Sequence, residues 1–219
     1  MLPLARSLSF AVLLAACTSV RALEPGEPVR FAPGEALAIG RLRVFEGERE
    51  LTPWKADLLE ELTLPGEPEI RLALFRMESE QRALYPAIGA DGWFAWVLRA
   101  GTWLVYQSSR AEPIWHDVLC AFQVLAVSEA QYVGELELHV HVERDPDLQA
   151  TAYSVEGVTV RSDPEAARAH LARSHPRDSL ELVERPLKSS PELRDVFDDW
   201  KRSRAERVLA NLGITLLCE

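Results

Sequence analysis

Asp91-Gly92-Trp93-Phe94-Ala95-Trp96-Val97-Leu98-Arg99-Ala100-Gly101-Thr102-Trp103-Leu104-Val105-Tyr106 is the stretch on which the fold turns. Aromatic and β-branched residues fill two arms, and such side chains suit a pleated, half-buried surface. Asp91-Gly92 opens the stretch, and Arg99-Ala100-Gly101 divides it with a tight turn. The pattern predicts a β-hairpin. Its first arm is apolar on both faces, which predicts a central strand covered on both sides.

Further strands are expected on either side. Upstream, Ala36 to Glu46 sets Leu42 and Val44 against Arg41 and Arg43, and Ile70 to Met77 puts Ile70, Leu72 and Leu74 on one face. Trp54 to Leu62 reads as a short helix stopped by Pro65-Gly66-Glu67-Pro68. Downstream, residues 121–127 and 132–143 read as a second strand pair. The latter alternates strictly: Leu136, Leu138, Val140 and Val142 face one way, and Glu135, Glu137, His139, His141 and Glu143 the other. That predicts one core face and one wet face. Tyr153 to Arg161 is a further strand.

The period then changes to helical. Ser162-Asp163-Pro164-Glu165 supplies a capping oxygen, a first-turn proline and an acid at the positive end of a helix running to about Arg173. Ser190-Pro191-Glu192 opens a longer helix with Leu193, Val196, Phe197, Trp200, Val208, Leu209 and Leu212 as its apolar stripe and Gly213 as its stop. Ile214 to Cys218 reads as a last short strand. Strands first and helices after predict a mainly β protein: an antiparallel β-sandwich with two added C-terminal α-helices.

The amino terminus carries one positive charge, Arg6, then about ten apolar residues, the length of a secretory leader and too short to span a bilayer. Leu14-Ala15-Ala16-Cys17 resembles the lipobox of bacterial lipoproteins. The resemblance implies cleavage before Cys17 and acylation of that residue, giving a stable membrane anchor through several acyl chains. Thr18 stands where lipoproteins kept in an inner membrane often carry Asp, so the resemblance implies an outer membrane and a domain facing the periplasm. The expected organisation is a signal peptide over 1–16, lipidated cysteine and flexible Pro/Gly/Glu-rich tether over 17–35, and a domain over 36–219.

Hydrophobic residues make up 47% of the chain, with six tryptophans, which sets it apart from disordered sequences. A net charge of −10 repels phosphate backbones and excludes nucleic acid as the expected partner. With Cys17 assigned to lipid, Cys120 and Cys218 remain. An even remainder in an exported protein predicts a disulfide between them; the alternative is two buried thiols.

Gly92-x-Phe94-x-Trp96-x-Leu98-x-x-Gly101-x-Trp103 resembles the carboxypeptidase-regulatory and transthyretin-like sandwich modules, and Tyr132-Val133-Gly134-Glu135-Leu136 resembles a strand start in uncharacterised bacterial lipoproteins. The match spans about a third of the chain. It implies an immunoglobulin- or transthyretin-like sandwich that binds, spaces or stabilises, with no catalytic residues to carry over. The two helices fall outside it.

His139-Val140-His141 places two imidazoles on one strand face, able to share Zn2+ or Cu2+, with Glu137, Glu143 or His116 as third ligand. The competing reading is a solvated polar face. Trp93, Trp96, Trp103, Tyr106 and Trp115 are either an aromatic platform for a glycan or peptide, or core. The chain contains no Gly-x-Ser-x-Gly, no Ser-x-x-Lys and no phosphate-binding glycine loop. The expected function is a lipid-anchored cell-envelope lipoprotein: a non-enzymatic binding or accessory module needing no cofactor, with a possible envelope protein partner. The alternatives are a metal-binding or metal-delivery protein using His139 and His141, and an envelope hydrolase.

Overall fold

The computed structural model describes residues 20–51, 70–79, 81–84, 87–109, 115–126, 129–145, 150–178, 180–189 and 192–211. In chain order these form β1 (Val20–Ala22), β2 (Glu35–Glu46), β3 (Arg49–Leu51), β4 (Ile70–Arg76), β5 (Gln81–Leu84), β6 (Trp93–Arg99), β7 (Gly101–Ser109), β8 (Trp115–Val124), β9 (Ala130–Asp145) and β10 (Ala150–Arg161). There follow α1 (Pro164–Ser174), β11 (Leu182–Glu184), β12 (Lys188–Ser189) and α2 (Glu192–Asn211). The protein is mainly β with two helices, as the sequence predicts. The expected helix at 54–62, strand at 214–218, and both Cys17 and Cys218 lie outside the described residues.

The strands make two open sheets. The larger is ordered β1-β6-β2-β9-β10, with β3 alongside β2 and β11 alongside β9; the smaller is ordered β12-β8-β7-β4-β5. Buried residues of both contribute to one apolar cluster: Ala38, Leu42, Trp96 and Leu138 from the larger sheet, Leu72, Trp103, Cys120 and Phe122 from the smaller. Each sheet carries a helix on its outer face. Ala167 and Leu171 of α1 pack with Leu37, Ile39, Trp93 and Tyr132, while Phe197 of α2 packs with Ala73, Phe75, Leu104 and Leu119. The two-faced apolarity of Trp93–Leu98 thus has its cause: Phe94, Trp96 and Leu98 face the shared core, and Trp93, Ala95 and Val97 lie under α1.

Four expectations are corrected. The arms around Gly101 are not a hairpin: β6 pairs with β1 and β2, and β7 with β4 and β8. The tight turn moves the chain from one sheet to the other. It is held by Ala100 N–H on the Gly34 carbonyl (2.7 Å) and by Glu78, whose carboxylate accepts from Thr102 N–H (2.7 Å). Residues 121–127 and 132–143 are likewise not partners, since β8 and β9 belong to different sheets. The larger sheet is also mixed, because β9 runs parallel to β2 and to β11.

The expected tether is the fourth. From Val20 onward the chain is laid onto the domain. β1 adds an edge strand to β6, Leu23 is buried and donates to the Ala95 carbonyl (2.8 Å), and Val29 and Phe31 join the cluster under α1. Gly26 N–H on the Ser174 carbonyl (2.6 Å) and Val29 N–H on Asp178 (3.2 Å) tie this segment to the end of α1. A three-residue strand is too short to show a period, so its pairing has no local signal.

A bulge in β9 sets the geometry of the outer face. The register with β2 skips at Val133, between the pairs Ile39–Tyr132 and Gly40–Gly134, and Gly134 has φ +100°. A side chain is disfavoured at that angle, and a Cβ would sit 2.9 Å from the Arg161 carbonyl oxygen. Tyr132 points outward under α1, Val133 inward, and Leu136 inward again. The extra residue shifts the alternation, so that Glu135, Glu137, His139 and His141 follow on the outer face.

Candidate functional site

Past the bulge, the outer face of the larger sheet is a lattice of charges. Arg41 and Arg161 stand opposite Glu135, and Arg43 stands opposite Glu137. The Glu137 carboxylate, 2% exposed, accepts from Arg43 (3.2 Å) and from Arg161 (2.8 Å). Arg43 also holds Glu50 with two bonds, 2.9 and 2.7 Å, which keep the Glu50 carboxyl below its ordinary range and raise the Arg43 guanidinium above its own. Arg41 reaches Glu135 at 3.7 Å. The expected wet face is therefore corrected at Glu135 and Glu137, which are buried because arginines close over them.

The candidate metal ligands lie further along this face. His139 is half-buried and stacks on Phe45 (5.6 Å), which lies under the Arg43 guanidinium (4.9 Å); His141 is exposed. Among the described residues no three His, Cys, Asp or Glu gather in a group able to hold a metal ion. Glu137 is engaged by two arginines, and the His116 side chain is outside the described set. Cys120 is buried in the shared core, and its expected partner Cys218 is not among the described residues.

The platform reading fails at its centre. Trp93, Trp96 and Trp103 are buried, and the indole N–H groups of Trp96 and Trp103 donate to the carbonyls of Ala87 and Arg99, each at 2.9 Å. The side chains of Tyr106 and Trp115 lie outside the described set.

Sequence reasoning missed a cleft of about 300 Å3 at the edge of the helix-covered half. Four segments enclose it: the docked amino-terminal segment (Leu23, Glu24, Pro25), the loop 87–91, the outward residues of β6, and the end of α1 (His170, Ser174, His175). His170 stacks flat on Trp93, with ring centres 4.6 Å apart, and its Nδ1 lies 3.9 Å from Asp91. Burial pushes the His170 imidazole below its ordinary pKa, against the opposing pull of Asp91. His175 is buried with its Nδ1 on the Glu27 carbonyl (3.0 Å), so Nδ1 is the donor and Nε2 remains as an acceptor in the neutral ring. Nearby, Tyr132 accepts from Asp163 N–H (2.9 Å) at the start of α1, and burial pushes its phenol up to about 12. The cleft joins residues some 150 positions apart, and only the Asp91-Gly92 turn and the helix start at Asp163 marked its walls in the sequence.

No family model, no curated protein and no solved structure matches this chain.

Proposed function

We propose that this chain is a cell-envelope lipoprotein, anchored through lipid on Cys17 to an outer membrane and facing the periplasm, whose domain serves as a non-catalytic binding or accessory module. The observation that carries this reading is the spacing at the amino terminus. The Leu14-Ala15-Ala16-Cys17 motif ends three residues before β1, which is an edge strand of the larger sheet. The three Cα–Cα steps from Cys17 to Val20 reach at most about 11 Å, so a lipid on Cys17 would hold the domain against the bilayer with no long spacer. The lattice of matched charges supports the non-catalytic part, since Glu135, Glu137 and Glu50 neutralise Arg41, Arg43 and Arg161 in place. We also read the two sheets, sharing one core, as a sandwich of the immunoglobulin or transthyretin-like kind, elaborated by the parallel β2–β9 pair and both helices.

Growth with an alkyne-bearing palmitate, followed by membrane fractionation, tests the anchor. The expected result is label and protein together in the membrane fraction, with Cys17→Ser unlabelled and soluble. A Cys17→Ser chain that still sediments with membranes contradicts the reading. In-cell cross-linking of the lipidated protein then tests the accessory role: one dominant envelope partner is expected.

A further inference from the structure

We infer that the cleft beneath α1 is a binding site for a small organic ammonium, a compact apolar body carrying one protonated amine. The inference goes beyond the anchored accessory role and does not require it. Three observations converge on it.

The first is enclosure. The cleft of about 300 Å3 has the docked chain, a loop, the sheet and a helix for its walls, with apolar surface from Leu23, Ile88 and Ala95. Sites for small molecules are concave, mostly apolar and furnished with a few convergent polar groups.

The second is the sign of the hydrogen bonding left over. Several backbone and hydroxyl donors around the cleft are engaged within the fold, and the His170 ring turns its Nδ1 toward Asp91 at 3.9 Å. Leu23 N–H goes to the Ala95 carbonyl, Gly89 N–H to the Trp93 carbonyl (2.7 Å), Trp93 N–H to Asp91 Oδ1 (3.2 Å), and Ser174 Oγ–H to the His170 carbonyl (2.8 Å). His175 donates its Nδ1–H to Glu27, and Pro25 has no N–H to give. The lining also brings acceptors: Asp91 Oδ2, the Glu24 carboxylate and, in the neutral ring, His175 Nε2. A ligand that satisfies them must bring donors, and an ammonium brings three.

The third is charge. Asp91 and Glu24 are both exposed acids lining the cleft. The Arg41 guanidinium, which lies over Trp93 at 5.7 Å, is paired with Glu135 at 3.7 Å and donates its Nε–H to the Asp91 backbone carbonyl (3.3 Å). Arg173 also acts on His170, and against it the two lining acids leave the cleft wall acidic, which favours a cation over an anion of the same shape.

The test uses the full lipidated chain in detergent micelles, with micelles alone as blank. n-Butylammonium, n-butanol and butyrate share one alkyl body and differ in the head group. Saturation-transfer NMR and calorimetric titration should show one saturable site for butylammonium, at least about tenfold weaker binding of butanol, and none of butyrate. Asp91→Asn keeps the carbonyl oxygen that accepts from Trp93 N–H, and should reduce butylammonium to the level of butanol. Ala90→Trp, at an exposed position on the cleft wall, should abolish binding of both, with thermal melts confirming that each variant folds. Absence of saturable butylammonium binding at tens of millimolar overturns the inference. So does equal affinity for amine and alcohol, or indifference to Asp91→Asn.

Discussion

The outer face of the larger sheet is capped in two different ways on either side of one glycine. Before Gly134, Leu37, Ile39, Trp93 and Tyr132 lie under α1, an apolar layer on an apolar layer. After it, Arg41, Arg43 and Arg161 close over Glu135 and Glu137, and no helix is present on that half among the described residues. Both caps exclude water from the sheet. The helix does so by burying apolar area, worth roughly 25 cal/mol per Å2. The charges do so by pairing, where each ion's desolvation must be offset by its partners. An alternation of polar and apolar residues therefore reports which side a residue faces, and not whether that side is wet.

The comparison can be broken at the bulge region with the largest effect. Gly40 lies opposite Gly134, and a Cβ there would come 2.3 Å from the Phe94 ring and 2.9 Å from the Gly134 carbonyl oxygen. Gly40→Ala should cost about 3 kcal/mol by overpacking, read as a lowered urea midpoint. On the charged half, Glu137→Gln leaves two guanidiniums without their shared carboxylate. It should cost about 2 kcal/mol in the same assay. An unchanged midpoint would mean that the pairing adds nothing.

On the helix half, Tyr132→Phe removes the acceptor of Asp163 N–H and should cost about 1 kcal/mol. It has a second signature. The folded state holds the Tyr132 proton up to about 12, against 10.0 for the free phenol. The unfolded chain thus ionises first as pH rises, so this contribution is complete below pH 10 and is lost as pH climbs through 12. Urea midpoints taken through that range should fall less steeply for Tyr132→Phe than for the parent. Smallest of all, Arg161→Ala should cost under about 1 kcal/mol, because that side chain is 65% exposed and its charge is well hydrated.

The sequence made the elements legible and left their pairing hidden. Trp93–Leu98, Leu136–Val142 and the capped start at Asp163 all formed where their patterns placed them, because period and capping are local properties. Two adjacent strand patterns with a turn between them also describe a sheet-to-sheet crossing. The choice between that and a hairpin rests on distant contacts such as Gly34 with Ala100. The same limit hid the docking of residues 20–35, whose proline and glycine spacing reads as a tether until β6 supplies an edge to join. At the site, His139 and His141 were legible as neighbours on one face. The cleft was not, since its walls meet only through tertiary packing of segments with no shared motif.

A double-mutant cycle on Arg43 and Glu137 tests most directly whether paired charges cap this half of the sheet. Arg43→Gln, Glu137→Gln and the double variant are unfolded in urea at low and at high salt. The contact of Arg43 with Glu50 is lost in both Arg43 variants and cancels in the cycle. The expected result is a coupling of at least about 1 kcal/mol that persists at high salt, since the Glu137 side chain is 2% exposed and poorly screened. Strict additivity of the two single variants at both salts would contradict the account, leaving the charges as occupants of the face and not its cap.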